Sequence, residues 1–581
     1  MTGLPGIWGI ISDNKHYHDL DLSDFFHREA TTAYLRDHMR TEHAVVGRCS
    51  IDKFANDKAF DVVRGKLICT DGVIFNLRHL SSRYRVTDCA HTLFALQEED
   101  GWSFPSHLRG NFSGYIYDLD THEMLIFTDH LAQKPVYFFT DPETNTLIFG
   151  SDLMAVVEGM RALGFVPSVD VGEAYSLLSL GFMFENGTLV EGVRKLPPGN
   201  VLVYSDGKVV LHTYHSMSGT PYVDDDEEEI LEELDRRFVE AIRMEYEKDL
   251  EYGYSHIATL SGGLDSRINV GYADKCRFAP ITCFCFSESG YADESIAKKI
   301  SSDHNFDFIF FSLDNGNYLT RYVNEVVGAN GGLTLYGGAA HLYTSLRALS
   351  FQSYGLIHTG EAGEVLKGDL LSAPEPTSVN LASFETIAYS DRLLEKLIDG
   401  VGLDEHRYET HEQFELLNRG VNAVFNGNRM IEHFTEFSSP FLYVDFIDYC
   451  MRIHPRHRYN GNIYIKWMNR YLPEFSRYSW ERYGLPPKYP HSVLFHYNNA
   501  RCIVRKFVGR RHVGMNPTQH WWETNPELRE RVNALFEADV NTLDSYPELA
   551  QDARDLFRDG KLLEKVQVIT LLTVLRRMRL A

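Results

Sequence analysis

Leu260-Ser261-Gly262-Gly263-Leu264-Asp265-Ser266-Arg267 is the stretch on which the reading of this chain turns. The run Tyr254-Ser255-His256-Ile257-Ala258-Thr259-Leu260 leading into it is short and largely apolar and reads as a strand. Arg267 to Tyr272 begins a helix. A strand, a glycine turn and a helix N-terminus make an anion site, because backbone N–H groups point outward and the helix dipole favours negative charge. Gly262 and Gly263 let the backbone approach a phosphate with no Cβ in the way. Ser261 and Ser266 add hydroxyl donors, with Leu260 at the strand end. Asp265 would repel a bare phosphate, so its expected task is to hold the magnesium that screens one. No lysine follows the glycines, which excludes the GK[ST] nucleotide loop. An ordinary glycine-rich turn is the alternative.

Working outward, 581 residues suggest several domains, and 44% hydrophobic with 24% charged residues is a globular composition. A net charge of −24 argues against non-specific nucleic-acid binding. The eight cysteines are scattered without a CxxC pair, as expected of reduced thiols in a cytoplasmic protein. The Met1 to Pro5 start has no charged region and no long apolar run, so no signal peptide is expected. No stretch approaches the ~18 apolar residues of a membrane span, so no stable membrane insertion is expected.

The octet is that of the PP-loop of ATP pyrophosphatases, which cleave ATP to AMP and pyrophosphate. Within that group the chain resembles the asparagine synthetase family. Short strands dominate residues 1 to about 210, and Asp71-Gly72-Val73-Ile74-Phe75-Asn76, Asp88-Cys89, Asp129 to Tyr137 and Leu196-Pro197-Pro198-Gly199 stand in the order of that family's glutaminase motifs. The resemblance implies an Ntn-type αββα sandwich over 1–215. Over 225–581 it implies a parallel-sheet PP-loop synthetase domain, adenine-nucleotide α-hydrolase-like, with a helical C-terminal part. Pro221 and the acidic run Asp224 to Glu229 mark the boundary and open a helix.

The departures from the family bear on nitrogen supply. Family glutaminases use an N-terminal cysteine, and the register places Pro5 there. The glutamate that holds glutamine's amino group is Val73, whereas Arg48 and Asp88 match retained glutamine contacts. This favours a degenerate glutaminase site. Thr2, exposed by loss of Met1, is the one candidate replacement nucleophile.

In the second half, Pro280 to Phe286 is a strand expected to place Cys285 and Phe286 against adenine. Asp293 is expected to cap the next helix. Leu356 to Val365 aligns on the family's SGEGSDEV, which makes Thr359 and Gly360 ATP contacts. Glu361 then acts near the reacting carbonyl, and Glu364 is a second magnesium ligand beside Asp265. Glu436 to Leu442 and Met451 to Pro455 continue the match, and Lys466 falls on the family's catalytic lysine. The tail carries Arg501, Arg505, Lys506, Arg510 and Arg511 with Phe507 and Trp521, either a solvated face or a receiver for an anionic substrate. Leu562 to Leu572 suits a helix packed on the domain.

The resemblance implies an AMP-forming carbon–nitrogen ligase using ATP and Mg²⁺. A small-molecule or peptide carboxylate is adenylated, and ammonia or an amine attacks. The HTGxxGexxxG turn, His358 to Gly368, and the Tyr464 to Glu474 stretch look closest to synthetase-like proteins of bacterial surface-polysaccharide pathways, some thought to amidate hexuronic acids. Intramolecular amide closure, as in β-lactam synthetases and lasso-peptide cyclases, ammonia-dependent asparagine synthesis and a non-catalytic ATP-binding partner remain as alternatives, and homodimer formation stays open.

Overall fold

The computed structural model describes residues 4–13, 19–26, 32–401, 407–507 and 514–580. Among the described residues, twelve strands precede residue 214: β1 Gly6–Ile11, β2 Tyr34–Arg40, β3 Ala44–Ile51, β4 Phe60–Val63, β5 Lys66–Ile74, β6 Gly110–Asp118, β7 Met124–Thr128, β8 Tyr137–Asp141, β9 Thr146–Gly150, β10 Arg194–Lys195, β11 Asn200–Ser205 and β12 Lys208–Thr213. They form two six-stranded antiparallel sheets, ordered β10-β8-β9-β1-β3-β2 and β12-β11-β7-β6-β5-β4.

Period-two alternation explains why these strands are buried on both faces. Ile7 and Ile11 of β1 meet Leu67, Cys69, Tyr115 and Ile126 of the opposite sheet. Trp8 and Ile10 point the other way, toward the helices Leu153–Ala162 and Val171–Leu180. A Cβ on Gly9 would sit 2.3 Å from the Phe149 ring, so the strand keeps a glycine there. The second sheet's outer face packs on the helices Leu77–Tyr84 and Cys89–Asp100. Helix, sheet, sheet, helix is the expected αββα layering.

The remaining strands, β13 Ser255–Thr259, β14 Ile281–Ser287, β15 Asp307–Ser312, β16 Tyr354–His358 and β17 Phe437–Ser438, form a parallel sheet ordered β15-β14-β13-β16-β17. The acidic run opens the helix Glu227–Glu251 as expected, because Asp226 accepts from the Glu228 and Glu229 amides while Glu229 accepts from the Asp226 amide. Ile230, Leu234, Phe238 and Ile242 of that helix are fully covered.

The two halves share their interior. Helix Leu562–Met578 is almost wholly buried and belongs to the same apolar cluster as Met154, Leu177, Tyr336 and Leu346. Polar side chains cross the same interface. Lys134 Nζ lies 3.0 Å from Asp71 Oδ2 and 2.9 Å from Glu436 Oε2, and Lys58 Nζ lies 2.8 Å from Glu436 Oε1. Lys248 Nζ lies 2.9 Å from Asp57 Oδ1, with neither side chain exposed.

Candidate active site

β13 ends at Thr259 and the helix Asp265–Lys275 begins six residues on, so the octet is the strand-to-helix turn that the sequence implies. Its serines fold it on itself: the Ser261 amide donates to Ser266 Oγ at 3.0 Å and the Gly263 amide to Ser261 Oγ at 3.1 Å. Arg267, fully buried, donates to the carbonyls of Gly262, Tyr478 and Ser479, and so ties the turn to the C-terminal helical part.

The turn after β16 is pressed against it. A Cβ on Gly360 would stand 2.5 Å from the Ser266 amide nitrogen, and one on Gly363 would stand 2.2 Å from Asp265 Oδ1. Only residues without side chains let the two turns approach this closely. Between them opens a cavity of about 330 Å³, within the range of small-molecule sites. Leu260, Ser261, Gly263, Asp265 and Ser266 line it from the first turn, and Thr359, Gly360, Glu361 and Glu364 from the second. Cys285 and Phe286 line it from β14.

Gly262 stands apart because its amide donates to Asp293 Oδ1 at 2.9 Å. This corrects the capping role expected of Asp293: Tyr291 holds the N-cap of the helix Ala292–Asp303, and the Asp293 carboxylate instead holds the glycine turn. Burial, reinforced by the nearby Glu481, pushes Asp293 up to about 6.

Lys466 is the second correction. Its Nζ pairs with Glu227 at 2.7 Å on an exposed face, outside the cavity. The helix Asn462–Tyr471 buries Ile463, Tyr464, Trp467 and Met468, so residue 466, two positions from 464, is carried to the opposite side. Tyr464 is what that helix sends inward, and its hydroxyl donates to Asp265 Oδ1 at 2.6 Å. The cation beside Asp265 is Lys367, whose Nζ lies 2.8 Å from Asp265 Oδ2 and 3.2 Å from Asp369 Oδ2. Burial works against the Lys367 charge, but Asp265 and Asp369 outweigh it and hold the ammonium above its ordinary range.

Asp265 and Asp369 thus flank one ammonium, and Glu361 and Glu364 line the same cavity as Asp265. Burial, with the neighbouring Glu364 charge adding to it, pushes Glu361 up to about 7. Burial and Asp265 also raise Glu364. The Glu361 carbonyl accepts from Ser439 Oγ at 2.8 Å, and Ala362, at φ 67°, takes a left-handed conformation that turns the chain between the two glutamates. His341 and Asn428 complete the wall; burial lowers His341 to about 4, so it is neutral at pH 7. Sequence patterning carries no signal for His341 or Asn428, whose segments hold none of the motifs, and Lys367 falls on an unspecified position of the turn that follows His358.

The residues aligned with a glutaminase site are each engaged locally. Pro5 is buried. Val73 packs in the apolar cluster beneath the parallel sheet. Arg48 donates to Asp37 Oδ2 and to the carbonyls of Lys58 and Ala59. Asp88 caps the helix Cys89–Asp100 and pairs with His91 at 2.9 Å, its side chain half-exposed. Thr2 lies outside the described residues, as do Arg510 and Arg511 and the side chains of Arg505, Lys506 and Phe507. Trp521 is a core residue, donating to Glu288 Oε2 at 2.8 Å, and Arg501 donates to the carbonyls of Glu481 and Arg482. No helix among the described residues is long and apolar enough to cross a membrane.

A glutamine amidotransferase domain family matches residues 22–215. An amidase of Penicillium rubens, chyE, is 25% identical over 317 residues, which is 50% of this chain and 45% of that protein. The amidase chry2 of Gibberella zeae is 24% identical over 316 residues, with the same coverage. Asparagine synthetase B (glutamine-hydrolyzing) of Escherichia coli is 24% identical over 209 residues, 35% of this chain and 31% of the synthetase. The chain thus spans less than half the length of the curated relatives it matches. Among solved structures, the glutamine phosphoribosylpyrophosphate amidotransferase of B. subtilis complexed with ADP and GMP aligns over 52% of this chain and 65% of its own, with 11% identity and a TM-score of 0.25. A likeness that faint adds nothing to the fold described above. Residues 22–215 thus match a glutamine amidotransferase domain family, and the chain is similar to asparagine synthetase B and to two fungal amidases.

Proposed function

We propose that this protein forms an amide bond by adenylating a carboxylate with ATP, releasing pyrophosphate and AMP, and that ammonia or an amine attacks the activated acyl group without glutamine hydrolysis. The observation that carries this reading is the convergence of two glycine turns on one cavity lined by Asp265, Glu361 and Glu364, with Lys367 paired to Asp265. The three carboxylates lining it are an oxygen-rich, electronegative donor set of the kind that suits a hard divalent ion. Asp265 and Glu364 would hold the magnesium of MgATP, which screens the phosphate charge.

The chain's own groups then have distinct tasks. The two turns seat the phosphates, and Phe286 and Cys285 face the adenine. Lys367 is an ammonium held in place by Asp265, poised to stabilise charge on the phosphate and on the attacked carbonyl oxygen. Glu361 accepts the proton of the incoming amine. The carboxylate is a specialised substrate, of which a uronic acid is one class. The relatives named amidase and asparagine synthetase favour amide chemistry over a purely binding role. The test is ATP–pyrophosphate exchange against a panel of carboxylates, with AMP and amide measured after adding ammonium or amines. Exchange with no acid in the panel, together with no binding of ATP, would sink the reading.

Two predictions follow from particular groups. With Glu361 pushed up to about 7, its proton-accepting form is lost as pH falls. Amide formation should therefore rise as pH increases through about 7. Glu361→Gln should be slow and flat across that range, and a wild-type profile unchanged in Glu361→Gln would remove the glutamate from the chemistry. Because Pro5 and Val73 replace a nucleophile and a glutamine contact, and Arg48 is engaged by Asp37 and two backbone carbonyls, glutamine should yield no glutamate. Turnover abolished by Thr2→Val would instead establish the threonine as nucleophile.

A further inference from the structure

Behind the nucleotide cavity, on the far side of the sheet ends, lies a second cluster of chemistry-bearing side chains. Asp249 comes from the last turns of the helix Glu227–Glu251, His256 from β13 and His358 from the end of β16. Asp249 and His358 are fully buried and His256 nearly so. Both rings aim at one oxygen: Asp249 Oδ2 lies 2.9 Å from His256 Nδ1 and 2.9 Å from His358 Nε2. The three atoms lie within 4.8 Å of one another.

Everything around them fixes that orientation. Asp249 Oδ1 accepts from the Leu356 amide at 2.7 Å, which leaves Oδ2 for the rings. A Cβ on Gly355 would stand 2.0 Å from Asp249 Oδ1, so the strand provides a seat for the carboxylate. The other nitrogen of His358 faces Ser438 Oγ at 3.0 Å and Glu245 Oε2 at 3.7 Å. The Tyr246 ring stacks on His358 with centroids 3.6 Å apart. An acceptor behind the distal ring nitrogen is the arrangement that orients metal-bound histidines.

We propose that Asp249, His256 and His358 bind one divalent transition-metal ion of the zinc class, a structural ion separate from the magnesium of the nucleotide site. Imidazole nitrogens with a carboxylate oxygen select such an ion, whereas the all-carboxylate nucleotide site suits magnesium. Bonds of 2.0–2.2 Å in tetrahedral geometry set ligand atoms about 3.3 Å apart, so each ring would open from Asp249 by about 0.4 Å while the two ring nitrogens, within 4.8 Å of each other, adjust to the same spacing. A divalent charge also balances Asp249 and Glu245 in a buried setting that otherwise depends on imidazolium protons. His358 is followed directly by Thr359, so the ion would brace the turn that lines the nucleotide cavity.

The test uses the full chain, purified without chelator, incubated with Zn²⁺ or Co²⁺ and desalted. One metal per chain is expected by elemental analysis, and the cobalt form should show the visible absorption of a low-symmetry nitrogen–oxygen site. His256→Gln and His358→Gln should lose both signals, while Asp265→Ala, in the other cavity, should keep them. Wild type that leaves the column without metal overturns the site, leaving the cluster as a hydrogen-bonded network alone. So does metal retained equally by His256→Gln and His358→Gln. If those variants fail to fold, X-ray absorption on the wild-type metal form decides, since a first shell without two imidazoles overturns the assignment. None of these readouts depends on amide formation, so the ion and the ligase reading fail separately.

Discussion

Lys367→Met is expected to slow pyrophosphate release and amide formation by about 10²–10³-fold, the usual effect of removing one fixed donor from developing charge. Lys466→Met should stay within about twofold of wild type, because an exposed pair of that kind contributes only about 0.2–1 kcal/mol. The contrast follows from where the two ammonium groups lie. Lys367 is largely enclosed and sits 2.8 Å from Asp265, whereas Lys466 pairs with Glu227 in solvent. An interaction made mainly in the transition state should lower kcat more than it raises KM. Lys367→Arg should rescue poorly, since a planar fork cannot reproduce a compact ammonium between Asp265 and Asp369. Single-turnover amide formation measured on both methionine variants decides the matter. A normal rate in Lys367→Met with a large loss in Lys466→Met would return the role to the helix Asn462–Tyr471.

The other large effect is on stability. Lys134→Met should cost about 3–5 kcal/mol, as expected when one partner of a buried ion cluster is removed. The lysine lies between Asp71 and Glu436 with Glu432 at 3.9 Å, and every one of these side chains is nearly inaccessible. Its loss would leave Asp71 without its closest cation and Glu436 with Lys58 alone. Adding Asp71→Asn to Lys134→Met should restore part of the loss, because the amide carries no charge to leave unpaired. The urea midpoint of each variant, with Lys466→Met as an exposed-lysine control, provides the measurement. A Lys134→Met midpoint equal to that of the control would show that the cluster contributes nothing.

The pH dependence of the same cluster has a definite sign. Burial alone would raise Asp71, but Lys134 and Lys58 outweigh it and hold the carboxyl well below its usual range. A carboxyl depressed on folding stabilises above its unfolded pKa, and that contribution disappears as pH falls toward the folded value. The Asp71 contribution should therefore be present at neutral pH and be lost only in strong acid, while Glu432, pushed by burial up to about 7, works in the opposite direction.

Much of the candidate site was legible in the sequence because it is local. Ser261, Asp265 and Ser266 lie within six residues, and Thr359, Gly360, Glu361 and Glu364 within another six. Each group is presented by one strand, one glycine turn and one helix start, so short spacing is enough to place it. Two such turns following neighbouring parallel strands must come together at the carboxyl edge of one sheet. The same locality made the acidic capping of Glu227–Glu251 readable, since a cap is satisfied within four residues.

What only the tertiary structure decided is what depends on direction and on distant partners. Lys466 matched a register, but the rotation of its helix, set by burial of Tyr464 and Trp467, turned it outward. Lys367 matched nothing, yet packing of the short helix Gly363–Lys367 brings its ammonium to Asp265, 102 residues away. Asp293 had the look of a cap until the glycine turn took its carboxylate. The Asp249–His256–His358 cluster and the ion network through Lys134 join residues up to several hundred positions apart. Spacing along the chain records which groups a turn can present, whereas the packing of apolar faces alone determines which way a helix faces and which distant charges meet.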